Sequence, residues 1–552
     1  MNKEGPVPEG REPALSLRCR QTQTVFKTAR IWYHIGETDP SRPTERNMDA
    51  MEKNGRGDAE FSILDPHGRH REKKELPAYF RDLNLETVLD EMAFNWGSAV
   101  RELFHYLPET AEDEKYRRAV YGDVKKEGVF RALEAFVRRT DEAEDLRREK
   151  EKVPGTLQHS VWQVREAEVR CAAMMELKEA LDREELSSQG LLTFRDILRQ
   201  KLFSAGESAV RERVNGIMKR IRAFRMVITC EKDRIRVEPG TAAGEYGTLR
   251  GEGSGIIKNP FAATPLLTDL EAVCLQVLTK KDPGFFREIR EVSDMVGDRR
   301  DPLADRFRKE IVFYLSFDTF RREMEEGGFS FAAPSVTESC PFMARGLYDL
   351  ALACVFRREG KKVVANDFAC REGERFFVLT GPNQGGKTTF ARSLGQLVYF
   401  ARIGLDVPAA EANVPFFRDI QSHFSVEESV ETGRGKLKEE LVRLAPMMEE
   451  KRQGTFVVIN ELFTTAAGYD ALIMGRRVLE HFIRLGCMGI FVTHLKELAS
   501  AHEGAVSLRA SLDENRVPTY VIRRGEAEDV PCAETRVKEH RLTYEQLKER
   551  LS

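Results

Sequence analysis

The chain has 552 residues and is short of the features that most quickly betray a protein's class. Its nine cysteines stand at 19, 171, 230, 274, 340, 354, 370, 487 and 532. No two have CxxC spacing and no Cys/His cluster suggests zinc, so they read as reduced thiols of a cytoplasmic protein. No apolar run approaches the ~18 residues needed to cross a bilayer. The N-terminal stretch MNKEGPVPEGREP lacks the apolar centre of a signal peptide. A surplus of one charge is also missing: Lys+Arg 87 against Asp+Glu 90 leaves a net charge of −3, so any nucleic-acid contact must be a local patch. There is no internal repeat, and no heptad pattern persists as the coiled coil of a chromosome-organising ATPase would require.

What is present is apolar mass and length. Hydrophobic residues make up 41% and charged residues 32%, enough for several cores under a charge-rich surface. Residues 1–60 are polar, rich in Gly, Pro, Arg and Glu, and have the composition of a disordered segment. Met48 and Met51 are candidate starts, because the first pattern of a folded segment is Phe61–Asp65. Helical periodicity dominates from Leu76 to Phe224, with long helices predicted over 157–186 and 194–224. Two short strands are expected around a turn at 231–233, then a Gly-rich loop at 240–255. A further long helix is predicted from Pro302 to Glu326, stopped by Gly327-Gly328. Beyond it the apolar runs shorten to strand length: 363–365, 376–379, 456–459 and 489–492. Helical segments separate the last three, the signature of a buried parallel sheet.

The richest stretch is FFVLTGPNQGGKTTF, Phe376 to Phe390. An apolar strand runs into Gly381-x4-Gly386-Lys387-Thr388, and a helix-compatible segment follows to about Arg402, which is a P-loop in its proper setting. Glycines at 381, 385 and 386 let backbone N–H groups turn inward around an anion, and the helix start adds unpaired N–H groups and a positive dipole end. Lys387 is placed to reach the β- and γ-phosphates and the Thr388 hydroxyl to meet magnesium. Pro382, Asn383, Gln384 and Thr389 complete the nucleotide-binding stretch.

Further pieces follow in order. The strand TFVVINEL delivers Asn460 and Glu461 at its C-terminal end, where ligands bind in such sheets. Glu461 is the candidate general base and Asn460 a neutral magnesium contact. FVTHLKEL ends another strand at His494, which either bonds the γ-phosphate or the water or is structural. Asp470 is an acidic contact across a subunit boundary or a helix cap. The turn Thr432-Gly433-Arg434-Gly435, before Lys436, opens a helix and makes a second anion-capable N-terminus. The basic clusters Lys219-Arg220, Arg222 and Arg225, and Arg299-Arg300, read equally as phosphate contacts or solvated faces.

TGPNQGGKTTF, NELFTTAAGYDA, FVTHLKEL and ETGRGKLKEEL together resemble the MutS family of DNA mismatch-repair ATPases, of the ABC-type class. The likeness is specific over about 329–500 and looser over FRDLNLETVLDEM and the long helices. It implies an α/β P-loop ATPase domain at 329–510, preceded by a mainly α-helical core and lever domain at 61–328. A small clamp-like insert falls near 226–260 and a C-terminal dimerisation segment at 511–552. By resemblance, Gly381 to Thr388 is the Walker A loop, with Lys387 catalytic. Asn460 and Glu461 are the Walker B pair, Asp470 is the D-loop acid and His494 the switch residue. Gly433 to Lys436 is the signature loop that meets the partner subunit's nucleotide. ATP, magnesium, DNA and a second copy of the chain are the implied ligands and partners.

The departures narrow the expectation. Asn460 stands where the family has Asp, and Gly435 where it commonly has Ser. Residues 1–75 offer no counterpart of the family's Phe-x-Glu wedge. The expected activity is that of a nucleotide-gated DNA clamp in repair or recombination, without a mismatch-reading module. The rival expectation, favoured by Asn460, is a nucleotide-binding regulatory dimer with little hydrolysis.

Overall fold

The computed structural model describes residues 61–68, 75–231, 234–241, 255–262, 266–298, 300–338, 341–425, 435–449, 453–526 and 543–551. The N-terminal stretch 1–60 and the candidate starts Met48 and Met51 lie outside them.

The helical part begins with α1 (Ala78–Asp82), α2 (Leu85–Ala93), α3 (Val100–Leu103), α4 (Ala111–Val124), α5 (Glu127–Glu151), α6 (Leu157–Arg183), α7 (Gln189–Leu202) and α8 (Ala205–Ala223). Four of them, α4, α6, α7 and α8, start at side chains that accept orphan N–H groups. Thr110 and Asp113 form a reciprocal capping box, Thr156 accepts from His159 N–H, and Ser188 from Leu191 N–H. Ser204 accepts from Glu207 N–H and starts a new helix, so the single helix predicted over 194–224 is two. After α8 come β1 (Phe224–Glu231), β2 (Arg234–Thr241) and β3 (Gly255–Lys258), an antiparallel sheet in the order β2-β1-β3. The hairpin predicted around 231–233 is present, with Glu231 opposite Arg234. Next are α9 (Asp269–Lys281), α10 (Pro283–Val296) and α11 (Pro302–Glu326). α11 has the predicted bounds: Asp301 caps it, Pro302 sits at its first position and Gly327 ends it.

The C-terminal part holds α12 (Leu350–Glu359), α13 (Lys387–Arg402), α14 (Lys436–Leu444), α15 (Gly468–Arg484) and a terminal α16 (Tyr544–Leu551). Two sheets accompany them. In the smaller, β4 (Ser335–Thr337), β8 (Glu411–Pro415), β5 (Met343–Leu347) and β6 (Asn366–Ala369) lie in that order. The apolar run predicted as a strand at 363–365 is not one; the strand starts at Asn366, which pairs with Leu347. The larger sheet has the order β13-β12-β7-β11-β10-β9, built from β7 (Phe376–Thr380), β9 (Ile420–Phe424), β10 (Phe456–Asn460), β11 (Met488–Val492), β12 (Ala505–Leu512) and β13 (Pro518–Arg524). Its ladder is parallel from β12 across to β9, with β13 added antiparallel. β7, β9, β10 and β11 are buried at every residue, as strands covered on both faces must be. The domain line drawn at 510 falls inside β12, and 518–524 is the outer strand of this sheet rather than part of a separate tail.

Among the described residues there are three cores. One joins α1 to α7 and α11 to one face of the larger sheet through α13. A second binds the ends of α5 and α6 to α8, α10 and the small antiparallel sheet around Phe224, Phe261, Phe285 and Phe286. The third lies on the opposite face of the larger sheet, under α15.

Candidate functional site

β7 and α13 are joined by 381–386, and the backbone there explains its composition. Gly381 has φ +134° and Gly386, the residue before α13, has φ +85°, both in the region where a side chain is strained. A Cβ at Gly381 would meet Ala510 of β12 at 3.0 Å, and one at Gly385 would meet the Pro382 carbonyl at 3.0 Å. Gly381, Pro382 and Gly385 thus turn the loop tightly against β12. Lys387 is buried, and its ammonium donates to the Gly381 and Pro382 carbonyls, both at 2.9 Å. Burial pulls its pKa below the ordinary value, and the Glu461 carboxylate acts in the opposite direction.

The two polar residues at the end of β10 come to the same place. Thr388 Oγ1 donates to Asn460 Oδ1 at 3.0 Å, across 72 residues of chain. Glu461 N–H still pairs with Val492 O at 2.9 Å, but its φ of +54° turns the chain off the sheet. Its carboxylate lies 3.4 Å from His494 Nε2, just beyond β11. Phe463 repeats the left-handed turn at φ +63°, and its N–H is accepted by the buried Glu440 carboxylate of α14 at 3.1 Å.

A cavity of about 420 Å³ opens between these parts. Asn383, Gln384, Gly386, Lys387, Thr388, Thr389 and Glu461 are among its lining residues. A second group, Leu352 and Phe356 of α12, the run Lys362 to Val364, Asn366 and Tyr520, lines it with them. The second group is not among the site residues expected from the sequence, in which 363–365 reads as a strand and 520 falls in the C-terminal segment. Tyr520, with φ +60°, is the sharpest omission. Asn366 holds it from both sides, donating from Nδ2 to Tyr520 O at 3.1 Å and accepting Ile522 N–H on Oδ1 at 2.7 Å. Tyr520 stands so close that a Cβ on Gly386 would meet its ring at 3.4 Å.

The donor set suits a hard cation that arrives with phosphate. Thr388 and Asn460 offer oxygens side by side, while the described residues hold no group of three His, Cys, Asp or Glu side chains able to take a metal alone.

The remaining predicted residues are not gathered here. Gly433 and Arg434 lie outside the described residues, Gly435 immediately precedes α14, and Lys436 is its first residue. Asp470 is exposed in the first turn of α15, beside the open ring of Tyr469. Of the basic cluster, Arg220 pairs with Glu288 and Arg222 with Glu168, so much of its charge is answered within the chain. Arg225 donates to the Arg222 and Phe224 carbonyls. No described helix is long and apolar enough to cross a membrane.

Comparison with known proteins bears on the same sheet. Residues 377–520 match the family described as MutS domain V, an ATPase-type α/β domain. The DNA mismatch repair protein MutS of Paracoccus denitrificans is 28% identical over 278 residues, 49% of this chain and 30% of that protein. The MutS of Shouchella clausii is 25% identical over 267 residues, 47% of this chain and 30% of that protein. The endonuclease MutS2 of the same organism is 30% identical over 306 residues, covering 53% of this chain and 37% of that protein. The matched part spans about a third of the length of these relatives. The domain match and the relatives agree with the motifs around Lys387 and Glu461: residues 377–520 match MutS domain V, and about half of the chain is similar to proteins of the MutS family.

Proposed function

We propose that the chain binds ATP with magnesium in this cavity and hydrolyses it, coupling turnover to a grip on DNA in repair or recombination. The observation that carries the reading is that one cavity is lined at once by Asn383, Gln384, residues 386–389 and Glu461. Phosphates would lie along the backbone amides of the loop and the first turn of α13, with the base toward Val363, Val364 and Tyr520. The Lys387 ammonium has three donors and uses two on the loop itself, so it can turn one toward the γ-phosphate. Thr388 and Asn460 would hold the magnesium, which supplies charge to the phosphates. Glu461 would accept a proton from the water whose oxygen attacks the γ-phosphorus, as the bond from that phosphorus to the β–γ bridging oxygen breaks and ADP leaves. His494, 3.4 Å away, would orient that carboxylate. By family likeness, the turn at 433–436 and Asp470 complete the site of a second copy in a homodimer, and closure moves the long helices that contact DNA.

The test is steady-state turnover with and without a panel of DNA structures: mismatch, junction, branched and plain duplex. Glu461→Ala is expected to lower kcat about 10²–10⁴-fold while keeping calorimetric ATP affinity. Wild-type protein that dimerises on ATP without turning it over would instead make the nucleotide a regulatory ligand. No measurable ATP affinity would remove the reading altogether.

A further inference from the structure

The strained turn after β10 needs a holder, and the structure shows one. Glu461 and Phe463 are both non-glycine residues in the left-handed region, at φ +54° and +63°. Such residues cost of order 1–3 kcal/mol each and persist only where their surroundings over-determine them. Three contacts fix this segment. The Glu461 N–H is tied to Val492 O, the Phe463 ring is buried in the core under α15, and the Phe463 N–H is taken by Glu440. The first two are ordinary consequences of the sheet and its packing. The third is a carboxylate, only 2% exposed, brought in from another element to hold one backbone amide two residues beyond the candidate base.

Glu440 is itself firmly seated. The Glu440 carbonyl lies 3.3 Å from Nε2 of the buried His423 on β9. One turn later, Arg443 donates to the Phe424 carbonyl at 3.0 Å and lies 3.5 Å from the Asp82 carboxylate at the end of α1. α14 is thus rooted on β9, and its one buried acid reaches across to the turn that carries Glu461.

We infer that Glu440 is a positioning residue for Glu461: it sets where that carboxylate stands by holding the Phe463 amide, and it does so through reach rather than charge. The inference rests on the hydrolytic reading above. Because α14 begins right after Gly435, one short helix joins the turn expected to face the partner's nucleotide to the residue expected to place water on this chain's own.

The test separates reach from charge in the full-length protein. Glu440→Gln keeps the side-chain length and an acceptor oxygen; Glu440→Asp keeps the charge and withdraws the oxygen by one methylene. Glu440→Gln is expected within about fivefold of wild-type kcat, and Glu440→Asp about 10–100-fold below it, since misplacement near 1 Å costs about that much. Both should bind magnesium–ADP within about threefold of wild type, because the acid is not among the residues that line the cavity. Hydrogen exchange in 461–467 should quicken in Glu440→Asp and not in Glu440→Gln. The reverse order of activities, or equal loss in both variants, overturns the inference while leaving hydrolysis standing. If wild-type protein turns over no ATP, the functional reading falls on its own account. Exchange then still decides: unchanged protection of 461–467 in Glu440→Asp overturns the role of Glu440 as well.

Discussion

The two faces of the larger sheet are built differently. On the inner face α13 is buried along nearly its whole length and bonded to the helical part at successive turns. Arg392 donates to Asp82 O at 2.9 Å, Gln396 to Leu83 O at 2.9 Å, Tyr399 to Phe104 O at 2.7 Å and Arg402 to Pro108 O at 2.5 Å. On the outer face α14 and α15 cover a smaller core and leave Leu441, Val442, Tyr469 and Ile473 open. The helix that starts at Lys387 is therefore continuous with the helical part, and a displacement of its N-terminus has a stiff route into α1 and α3. The outer face holds the turn of Glu461 and the start of α14 and has fewer such bonds. Rigid coupling belongs to one face and adjustable geometry to the other.

The sharpest way to break this contrast is at Gln396. Its amide donates to Leu83 O and to Asp349 Oδ1, both at 2.9 Å, and accepts Leu350 N–H at 2.8 Å, all in a buried setting. Gln396→Ala would strand several buried polar groups at about 1–3 kcal/mol each. We expect a loss of roughly 3–5 kcal/mol in denaturant unfolding. A loss below about 1 kcal/mol would mean that the inner face is not locked as described.

Next is Gly395, one residue away. A Cβ there would meet Leu83 Cδ2 at 2.5 Å and Cδ1 at 2.9 Å, and Leu83 is fully buried with nowhere to go. Replacing glycine inside a helix normally gains about 1 kcal/mol, whereas overpacking costs about 1–3. Gly395→Ala should therefore destabilise by about 1–2 kcal/mol. If the joint transmits nucleotide state, the same variant should weaken the effect of ATP on DNA affinity more than it weakens ATP binding.

How far the sequence discloses all this depends on the range of the forces involved. The loop 381–388, the strands at 376, 456 and 489 and the helix 302–326 are legible because their causes are local: glycines at special angles, unbroken apolar runs, Asp301-Pro302 before and Gly327 after. The break at Ser204 is not legible, because a new cap falls within a pattern that stays amphipathic on both sides. The clamp of Asn366 on Tyr520 and the reach of Glu440 to Phe463 are not legible either. Each joins a side chain to a distant backbone group and leaves no periodic trace. Of the candidate site, the loop residues and Glu461 can be read from the chain, and the other residues that line the cavity or hold the turn cannot.

A smaller effect concerns His423, fully buried on β9 beside α14. Burial chiefly, with help from the Arg443 charge, pushes its pKa below the usual 6.5. The unfolded chain then binds more protons than the folded one as pH drops below 6.5, so this residue's contribution to stability is present at neutral pH and is lost on acidification. The slope from one such group is at most about 1.4 kcal/mol per pH unit. Unfolding at pH 7.5 and 5.5 should show His423→Gln losing less stability than wild type over that interval; an identical loss would place the acid sensitivity elsewhere.

The smallest effect is expected at Gly475, the outer-face counterpart of Gly395. It lies inside α15, and an added Cβ would meet Leu498 Cδ1 at 3.1 Å and Cδ2 at 3.3 Å. Those are the tips of one side chain on a short turn, Lys496–Ser500, that follows His494. Leu498 is as buried as Leu83, but the overlap is smaller, so a shift of a few tenths of an ångström relieves it, and the helix gains about 1 kcal/mol from alanine. Gly475→Ala should thus change unfolding free energy by less than about 1 kcal/mol, in either direction. What it should change is the neighbour: a turn moved outward carries the segment after His494 with it, so kcat should respond more than stability does. Gly395→Ala should show the opposite order. Equal destabilisation by the two alanines would mean that the faces are packed alike. The site could then not owe its adjustability to the outer one.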